Sequence, residues 1–489
     1  MTTLGFILSP ISILNIVFAA LVVFTQRRNP GVTWAWLFVI LMLPYLGIVL
    51  YMMLGFDGRL HSTFAAKRLR DTHVYRNHFG LEADGNGFLN EQMDILKRPG
   101  ISGGSDASAL DDMVYLNMAS GYAAFTEGNE VDLFTDGNSK FDSMMADIAG
   151  ARRSIFLQYY IVRNDALTRR VVEALTARAR EDVMVCVLVD GMGCLFTPRR
   201  LFSSLEEAGG QVAVFMPPLL GGLNYRNHRK ITVIDGRIGY VGGLNIGEEY
   251  TGSSKRFGFW RDSHLRIRGN AVHPLTLRFV LDWNFARVKK PLIISGGLFP
   301  ENNVEPGRSA LQILCSGPDT DWPSIQYAYL KMINGAKSQI LIQSPYFVPD
   351  DSVFEALRLA ALSGVDVRIM IPANPDHPFV YWAALSYLGE LLNVGVRAYK
   401  YERGFMHSKT VVVDERVASV GTANLDVRSF RLNFEVNAII YDRKVAQSVA
   451  VQFHTDSLDC TEITKDWYEA RSRSVRVRES VSRLISPIL

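Results

Sequence analysis

A nine-residue pattern written twice constrains this chain more than any other feature. Residues 227–235 read NHRKITVID and residues 406–414 read MHSKTVVVD, so H-x-K-x-x-x-x-D recurs after 179 residues, each time running into a short apolar strand. The repeat extends beyond the motif. AGARRSIFLQYY (149–160) resembles NGAKSQILIQSPYF (334–347), which places Gln158 opposite Gln343, and ALTARAREDVMVCVLVD (174–190) resembles ALRLAALSGVDVRIMIP (356–372). Each half reads helix, buried strand, helix, buried strand, loop, then the His-Lys segment, the pattern of a mostly parallel sheet covered by helices. A repeat of roughly 170–185 residues is too long for a solenoid unit and predicts two like α/β domains about a pseudo-dyad. With 489 residues, each has length enough to bury its own core.

The boundaries follow from composition. No residue is charged from Gly5 to Thr25 or from Val32 to Gly55, and each run reaches the roughly 20 residues needed to cross a bilayer, with QRRNP between them. Residues 1–57 therefore read as a two-helix transmembrane hairpin, with Trp34, Trp36, Tyr45 and Tyr51 placed as interfacial aromatics. Arg59, Lys67, Arg68 and Arg70 after the second run, against Arg27 and Arg28 between the runs, lean toward a cytoplasmic body. Residues 58–125, with LEADGNGF and RPGISGGSDAS, read as a connector in turns and loops. The two α/β domains are expected over 126–295 and 296–489, the second ending in ARSRSVRVRESVSRLISPIL, a basic amphipathic tail with five arginines suited to anionic headgroups.

On a strand, a period of two points His228, Lys230 and Thr232 to one face and Asp235 to the other; His407, Lys409 and Val411 repeat this, with Asp414 opposite. Asp235 and Asp414 complete the motif and are counted with its catalytic residues, yet DGR and DER separate two apolar runs. That makes each aspartate a turn residue whose carboxylate bonds nearby backbone N–H groups. Asn245 and Asn424 each follow their histidine by 17 residues among small residues, where an amide can donate to a phosphate oxygen. Asp262, 34 residues after His228, and Glu435, 28 after His407, are candidates to orient the histidines through a ring nitrogen. Two lysines and two amides neutralise the non-bridging oxygens of a phosphodiester without a metal. One imidazole attacks phosphorus while the other protonates the leaving alkoxide and then deprotonates the incoming alcohol. Two copies of the motif thus grip one phosphoryl centre from both sides.

A net charge of +3 and a charged fraction of 21% show no global basic field, so nucleic acid is not the expected partner. Cys186, Cys194, Cys315 and Cys460 lack a C-x-x-C pair and read as structural thiols. GMG (191–193) reads as a plain βα turn, DTD (319–321) as a solvated loop, and His264 and His273 lack ligand spacing, so no metal site and no cofactor are expected.

The segments HRKITVIDGRIGYVGGLNIGEEY, HSKTVVVDERVASVGTANLDVRSFRLNFE, LPYLGIVLYMMLG and SRLISPIL resemble the phospholipase D superfamily, and more narrowly the bacterial cardiolipin synthases. The resemblance spans nearly the whole chain. It implies transfer of a phosphatidyl group from one phosphatidylglycerol to the hydroxyl of another, giving cardiolipin and glycerol through a phosphohistidine. His228 would be the nucleophile, His407 the acid/base, and Lys230, Lys409, Asn245 and Asn424 the phosphate ligands. Phosphatidylglycerol and an anionic membrane are the implied partners, and the bacterial inner (plasma) membrane, spanned more than once, the implied site; homo-oligomerisation is left open. Which acid supports which histidine is also left open, because Asp262 stands where the other half has Glu435. A hydrolytic phospholipase D or another headgroup transphosphatidylase would share every catalytic residue. A nuclease would want a basic groove and no hairpin, and a membrane scaffold would tolerate loss of one His or Lys.

Overall fold

The structure, a computed structural model, describes residues 16–20, 30–43, 45–52, 58–78, 107–216, 224–254, 256–300 and 306–486. The first half contributes β1 (Phe125–Phe134), β2 (Ser154–Tyr159), β3 (Met184–Asp190), β4 (Gln211–Phe215), β5 (Ile231–Ile234), β6 (Ile238–Gly242) and β7 (His264–Arg268). The second half repeats them as β8 (Ser309–Ser316), β9 (Gln339–Gln343), β10 (Asp366–Pro372), β11 (Arg397–Tyr401), β12 (Thr410–Val413), β13 (Val417–Gly421) and β14 (Asn433–Ile440), with β15 (Cys460–Ile463) at the edge. They form one continuous sheet in the order β15-β11-β10-β9-β12-β13-β14-β8-β1-β7-β6-β5-β2-β3-β4. Reading outward from the antiparallel β8–β1 pair, each strand meets its counterpart seven numbers away, so the pseudo-dyad passes between β8 and β1.

The sheet is mixed where a mostly parallel one was expected. β2, β3 and β4 are parallel, as are β9, β10 and β11, because helical crossovers join them. The tight turns at Asp235–Gly236 and Asp414–Glu415, all at positive φ, make β5–β6 and β12–β13 antiparallel hairpins instead. Aspartate caps start the crossover helices: Asp136 accepts from Ser139 N before Gly137–Gly150, Asp165 from Thr168 N before Ala166–Ala179, and Asp350 from Val353 N before Asp351–Leu362.

The layers also depart from two self-contained domains. Ile155, Leu157 and Tyr159 face the helices Gly137–Gly150 and Ala166–Ala179, whereas Phe156 faces the other way. On that inner side, Val272–Ala286 and Arg443–Ser457 share one core with strands of both halves, including Phe156, Leu188, Val412 and Val436. All four cysteines are free.

The stretch 58–125 is not simply a connector. Residues 79–106, which hold LEADGNGF and all but the last two residues of RPGISGGSDAS, lie outside the described residues, but helices Gly58–His78 and Ala107–Gly121 flank them. Phe64 is buried in the shared core against Tyr225 and Phe434, and Met113 lies in the core of the second half. Burying one such side chain contributes about 1.5–3 kcal/mol. Lys67 is wholly buried among Asp71 (2.6 Å), Asp282 (3.2 Å) and Asp319 (2.6 Å), and Arg278 bonds Asp71 and Asp282. The DTD segment is therefore half inside: Asp319 is buried as a counter-ion, for a lysine 252 residues away that composition does not reveal.

At the N-terminus, the second apolar run is a helix Pro30–Met42, then a break where Tyr45 has φ 65°, then a short helix Leu46–Leu50 packed back on it. Thirteen residues of helix rise only about 20 Å, and among the described residues no helix is long and apolar enough to cross a membrane. Trp36 and Tyr51 are buried against each other and Phe18, not spread at an interface, while Trp34 and Tyr45 are exposed. Residues 1–15, 21–29, 44 and 53–57 of the expected hairpin lie outside the described residues.

Candidate active site

The two histidine segments meet at the dyad through two short parallel ladders. Arg226–Asn227 pairs with Asn433–Phe434, and Gly404–Met406 with Phe259–Arg261. Each histidine N–H continues its ladder: His228 N donates to Phe434 O (2.9 Å) and His407 N to Arg261 O (2.7 Å). One residue farther along each partner strand stands an acid, so the acids cross between halves. Glu435 holds His228 Nδ1 with both oxygens at 3.0 Å, and Asp262 holds His407 Nδ1 at 2.6 Å. A carboxylate at Nδ1 places the proton there and leaves the Nε2 lone pair for the cavity.

The supports of the two acids differ. Glu435 also accepts from Thr422 Oγ1 and from Asn433 Nδ2 (3.2 Å), whereas Asp262 accepts from Ser263 N (2.8 Å). Gly243 occupies the place matching Thr422, and a Cβ there would collide with the Asp262 carboxylate. The shorter acid and the missing side chain are one adjustment.

The site is buried and densely charged. His228 and His407 form the floor of a cavity of about 790 Å³, also lined by Tyr160, Trp260, Asn245 and Asn424. Lys230 Nζ donates to His228 O (2.7 Å) and Lys409 Nζ to His407 O (2.5 Å), so each lysine is held beside its own histidine. Burial lowers the Lys230 ammonium to about 7, with Glu435 opposing and Lys409 adding to the fall. Burial lowers Lys409 to about 8, with Asp262 and Glu435 opposing. Burial, then Lys409, pushes His407 down to about 4 against the pull of Asp262. His228 is also lowered by burial, with Glu435 the strongest opposing charge. Burial favours neutral carboxyls, yet His228 and Lys230 hold Glu435, and His407 and Lys409 hold Asp262, below the usual carboxylate range.

Asn245 and Asn424 reach the cavity as expected. Asn245 Oδ1 accepts from Ile161 N (3.1 Å), and Asn424 Oδ1 is buried without a hydrogen-bond partner. Asp235 and Asp414 do not reach it. Asp235 accepts from the backbone N–H groups of Arg152, Arg153 and Ser154, and Asp414 from those of Lys337, Ser338 and Gln339. Their place among the catalytic residues is corrected: at the far end of β5 and β12, each locks the turn between a helix and its following strand.

Several functional residues escaped sequence reasoning. Tyr160 lies edge-on to His228 and Trp260 tilts over His407, with ring centroids 5.1 Å apart in both cases. Beneath them, Arg229 bonds Asp282 (2.7 Å), which also accepts from Gln158, and Arg261 bonds Asp456 (2.8 Å), which also accepts from Gln343. Gln158 and Gln343 matched in sequence, but their partner arginines did not: Arg229 follows a histidine and Arg261 precedes an acid. Only the crossing, which sets Arg261 beside Asp456 of the second half, gives the two arginines equivalent places.

A mixed two-fold sheet with paired His-Lys segments meeting across its dyad defines a phospholipase D-like fold. In agreement, a solved phosphatidylserine synthase of Haemophilus influenzae aligns with a TM-score of 0.60 and 15% identity, over 79% of this chain and 100% of that one. The family described as "Cardiolipin synthase, PLD-like domain" matches residues 144–256 and 329–457, and "Phospholipase D-nuclease N-terminal" matches 13–55. The major cardiolipin synthase of Bacillus subtilis is 45% identical, and a cardiolipin synthase of Listeria innocua 43% identical, each over 100% of both chains. The chain belongs to the phospholipase D-like cardiolipin synthase family.

Proposed function

We propose that this chain is a cardiolipin synthase that moves a phosphatidyl group from one phosphatidylglycerol to another and releases glycerol. The observation that carries the mechanism is the pair of crossed carboxylate–histidine contacts facing one cavity. His228 Nε2 attacks phosphorus; the N–P bond forms as the P–O bond to the glycerol headgroup breaks, and the departing oxygen takes a proton from His407. Neutral His407 then accepts the proton of the acceptor hydroxyl as its oxygen forms the new P–O bond, and the N–P electron pair returns to His228. Lys230, Lys409, Asn245 and Asn424 neutralise the non-bridging oxygens. A phosphodiester anion lying between the lysines supplies the charge that raises them, and His407, above their values in the empty site.

The substrate lies in a bilayer, and one surface at the cavity suits that. Ser486, His377 and Val380 line the cavity, and helix Arg473–Ile485 packs on Pro378–Leu392. That helix buries Glu479 and Ser482 but exposes Val477, Val481 and Leu484, with Arg473, Arg476 and Arg478 also exposed and Phe379 exposed beside them. An apolar stripe turned outward between arginines fits an anionic membrane surface. With the apolar N-terminal segment as anchor, the body works at the cytoplasmic face of the bacterial inner membrane. The regions 126–295 and 296–489 act as the two catalytic halves.

Product analysis tests the reading. Purified protein in detergent, given only phosphatidylglycerol and a chelator, is expected to form cardiolipin and glycerol, since one phosphodiester is exchanged for another. Phosphatidic acid as the main product would establish a hydrolase instead, and strict dependence on a divalent ion would contradict the lysine clamp.

A further inference from the structure

Both chain neighbours of His228 are tied to one buried carboxylate. Asp282, on helix Val272–Ala286, accepts through Oδ2 from Asn227 Nδ2 (3.4 Å), Arg229 Nη1 (2.7 Å) and Gln158 Nε2 (2.8 Å). Arg229 also donates to Glu435 O and Ser316 O, each at 3.1 Å, so the guanidinium beside the histidine reaches the backbone of that histidine's acid as well. Whatever fixes Asp282 therefore fixes the His228–Glu435 pair.

Part of that support comes from outside the repeat. Oδ1 of Asp282 faces Arg278 (2.7 Å) and Lys67 (3.2 Å), and Lys67, wholly buried, also bonds Asp319 (2.6 Å), three residues beyond Ser316. Lys67 thereby joins the helix that carries Asp282 to the segment after β8, the two supports between which Arg229 is stretched. Phe64, three residues earlier and so on the same helix face, lies edge-on to Tyr225 and Phe434, with ring centroids 4.9 and 5.4 Å away. Phe434 O is the acceptor of His228 N. Helix Gly58–His78 carries both side chains and begins three residues after the uncharged run that ends at Gly55.

The other histidine has no such support. The Asp456 side chain is bonded by Arg261, Gln343 and Gln452, all within the two halves, and among the described residues no neighbour of His407 bonds it; Ser408 Oγ pairs instead with Ser263 Oγ (2.8 Å). We propose that Lys67 and Phe64 make helix Gly58–His78 a positioning element of the active site. It sets His228 and Glu435 but not His407 and Asp262, so the N-terminal segment is needed for the first chemical step and not for anchoring alone. The inference rests on the proposed assignment of His228 as nucleophile.

The test measures formation of the phosphatidyl-enzyme in full-length His407→Ala protein, in mixed micelles with phosphatidylglycerol, by mass spectrometry over time. Lys67 is changed together with Asp319: three acids, Asp71, Asp282 and Asp319, face three cations, Lys67, Arg229 and Arg278, so Lys67→Met with Asp319→Leu removes one of each and keeps the buried charges balanced. A merely structural role would lower the amplitude of the adduct, by reducing the folded fraction, and leave its rate constant alone. A positioning role lowers the rate constant, here by about tenfold or more, the effect of misplacing a nucleophile by a fraction of an ångström. Lys67→Arg should keep part of the rate, and Gln452→Leu, which removes a bond to Asp456 instead, should leave the rate constant unchanged. An unaltered rate constant in the Lys67→Met, Asp319→Leu protein overturns the proposal whatever the amplitude, and an equal fall with Gln452→Leu overturns its restriction to His228. If the double change gives no adduct, Phe64→Leu decides: it should slow the adduct severalfold, and an unchanged rate constant overturns the proposal. No adduct in the His407→Ala parent would defeat the division of roles, and the inference with it, a different result from an adduct that forms at an unaltered rate.

Discussion

The His228 and His407 segments share a backbone frame and differ in almost everything that frame touches. His228 has a two-oxygen hold from Glu435, braced by Thr422, with Tyr160 edge-on; His407 has a single contact to Asp262, room made by Gly243, and Trp260 overhead. At His228 the largest charge effect comes from Glu435, whereas at His407 it comes from Lys409, opposed by Asp262 through both its charge and its hydrogen bond. Duplication supplied two like frames, and their supports have diverged, as the proposed division of roles between the histidines requires.

Removing the histidines should have the largest effect and breaks the comparison most directly. His228→Ala and His407→Ala should each cut turnover on the order of 10⁴-fold or more. Only His407→Ala should accumulate an acid-labile lipid-phosphate adduct, on the peptide containing NHRK, seen by mass spectrometry of the intact and digested chain. An adduct on the MHSK peptide in the other variant would exchange the roles.

The crossed acids come next. Glu435→Gln and Asp262→Asn should each lower kcat by about 10²- to 10⁴-fold, the usual weight of acid–base support. Placed in the His407→Ala background, Glu435→Gln should suppress the adduct although it lies in the half that has lost its histidine. Asp262→Asn should leave the adduct intact. Suppression by Asp262→Asn instead would mean that each acid serves its own half.

The arginines beneath the site test stability rather than turnover. Arg229→Met or Arg261→Met leaves Asp282 or Asp456 with one cation fewer, at about 3–5 kcal/mol for breaking a buried pair. Asp456 should suffer more, because Lys67 and Arg278 still face Asp282. Denaturant midpoints should therefore fall further for Arg261→Met, and Arg261→Met with Asp456→Leu should recover much of the loss.

The smallest effect is in pH. On the proposed mechanism both lysines must be charged to grip phosphate, and burial has brought their loss of charge to about 7 for Lys230 and about 8 for Lys409. Since the ammonium is lost as pH rises through its pKa, kcat/KM should decline on the alkaline side from near pH 7, by up to about tenfold per unit for each essential lysine. Lys230→Arg, which cannot lose its charge, should move that limb upward. An unmoved limb would assign it to Lys409.

Periodicity and spacing carried far. They marked the repeat, the order of helices and strands, the His and Lys pairs, and the turn role of Asp235 and Asp414, because each depends on neighbours within a turn or a strand. They also misled, for the same reason. The apolar run 32–55 read as one span, yet Tyr45 breaks it and Gly47 lets the two pieces approach. Residues 58–78 read as a connector because Lys67 and Asp319, 252 residues apart, look like surface charges until they meet.

Sequence alone determined which candidate side chains this chain duplicates: two histidines, two lysines, two amides and two acids in the same order. Tertiary structure decided who serves whom. Local pattern sets which face a side chain takes, but partners across a dyad are chosen by which distant strands pair, and here the ladders 226–227 with 433–434 and 404–406 with 259–261 hand each histidine to the other half. The same crossing brings Arg428 of the second half onto Asn224 of the first, a contact that no single stretch of the chain records because its two members come from different halves.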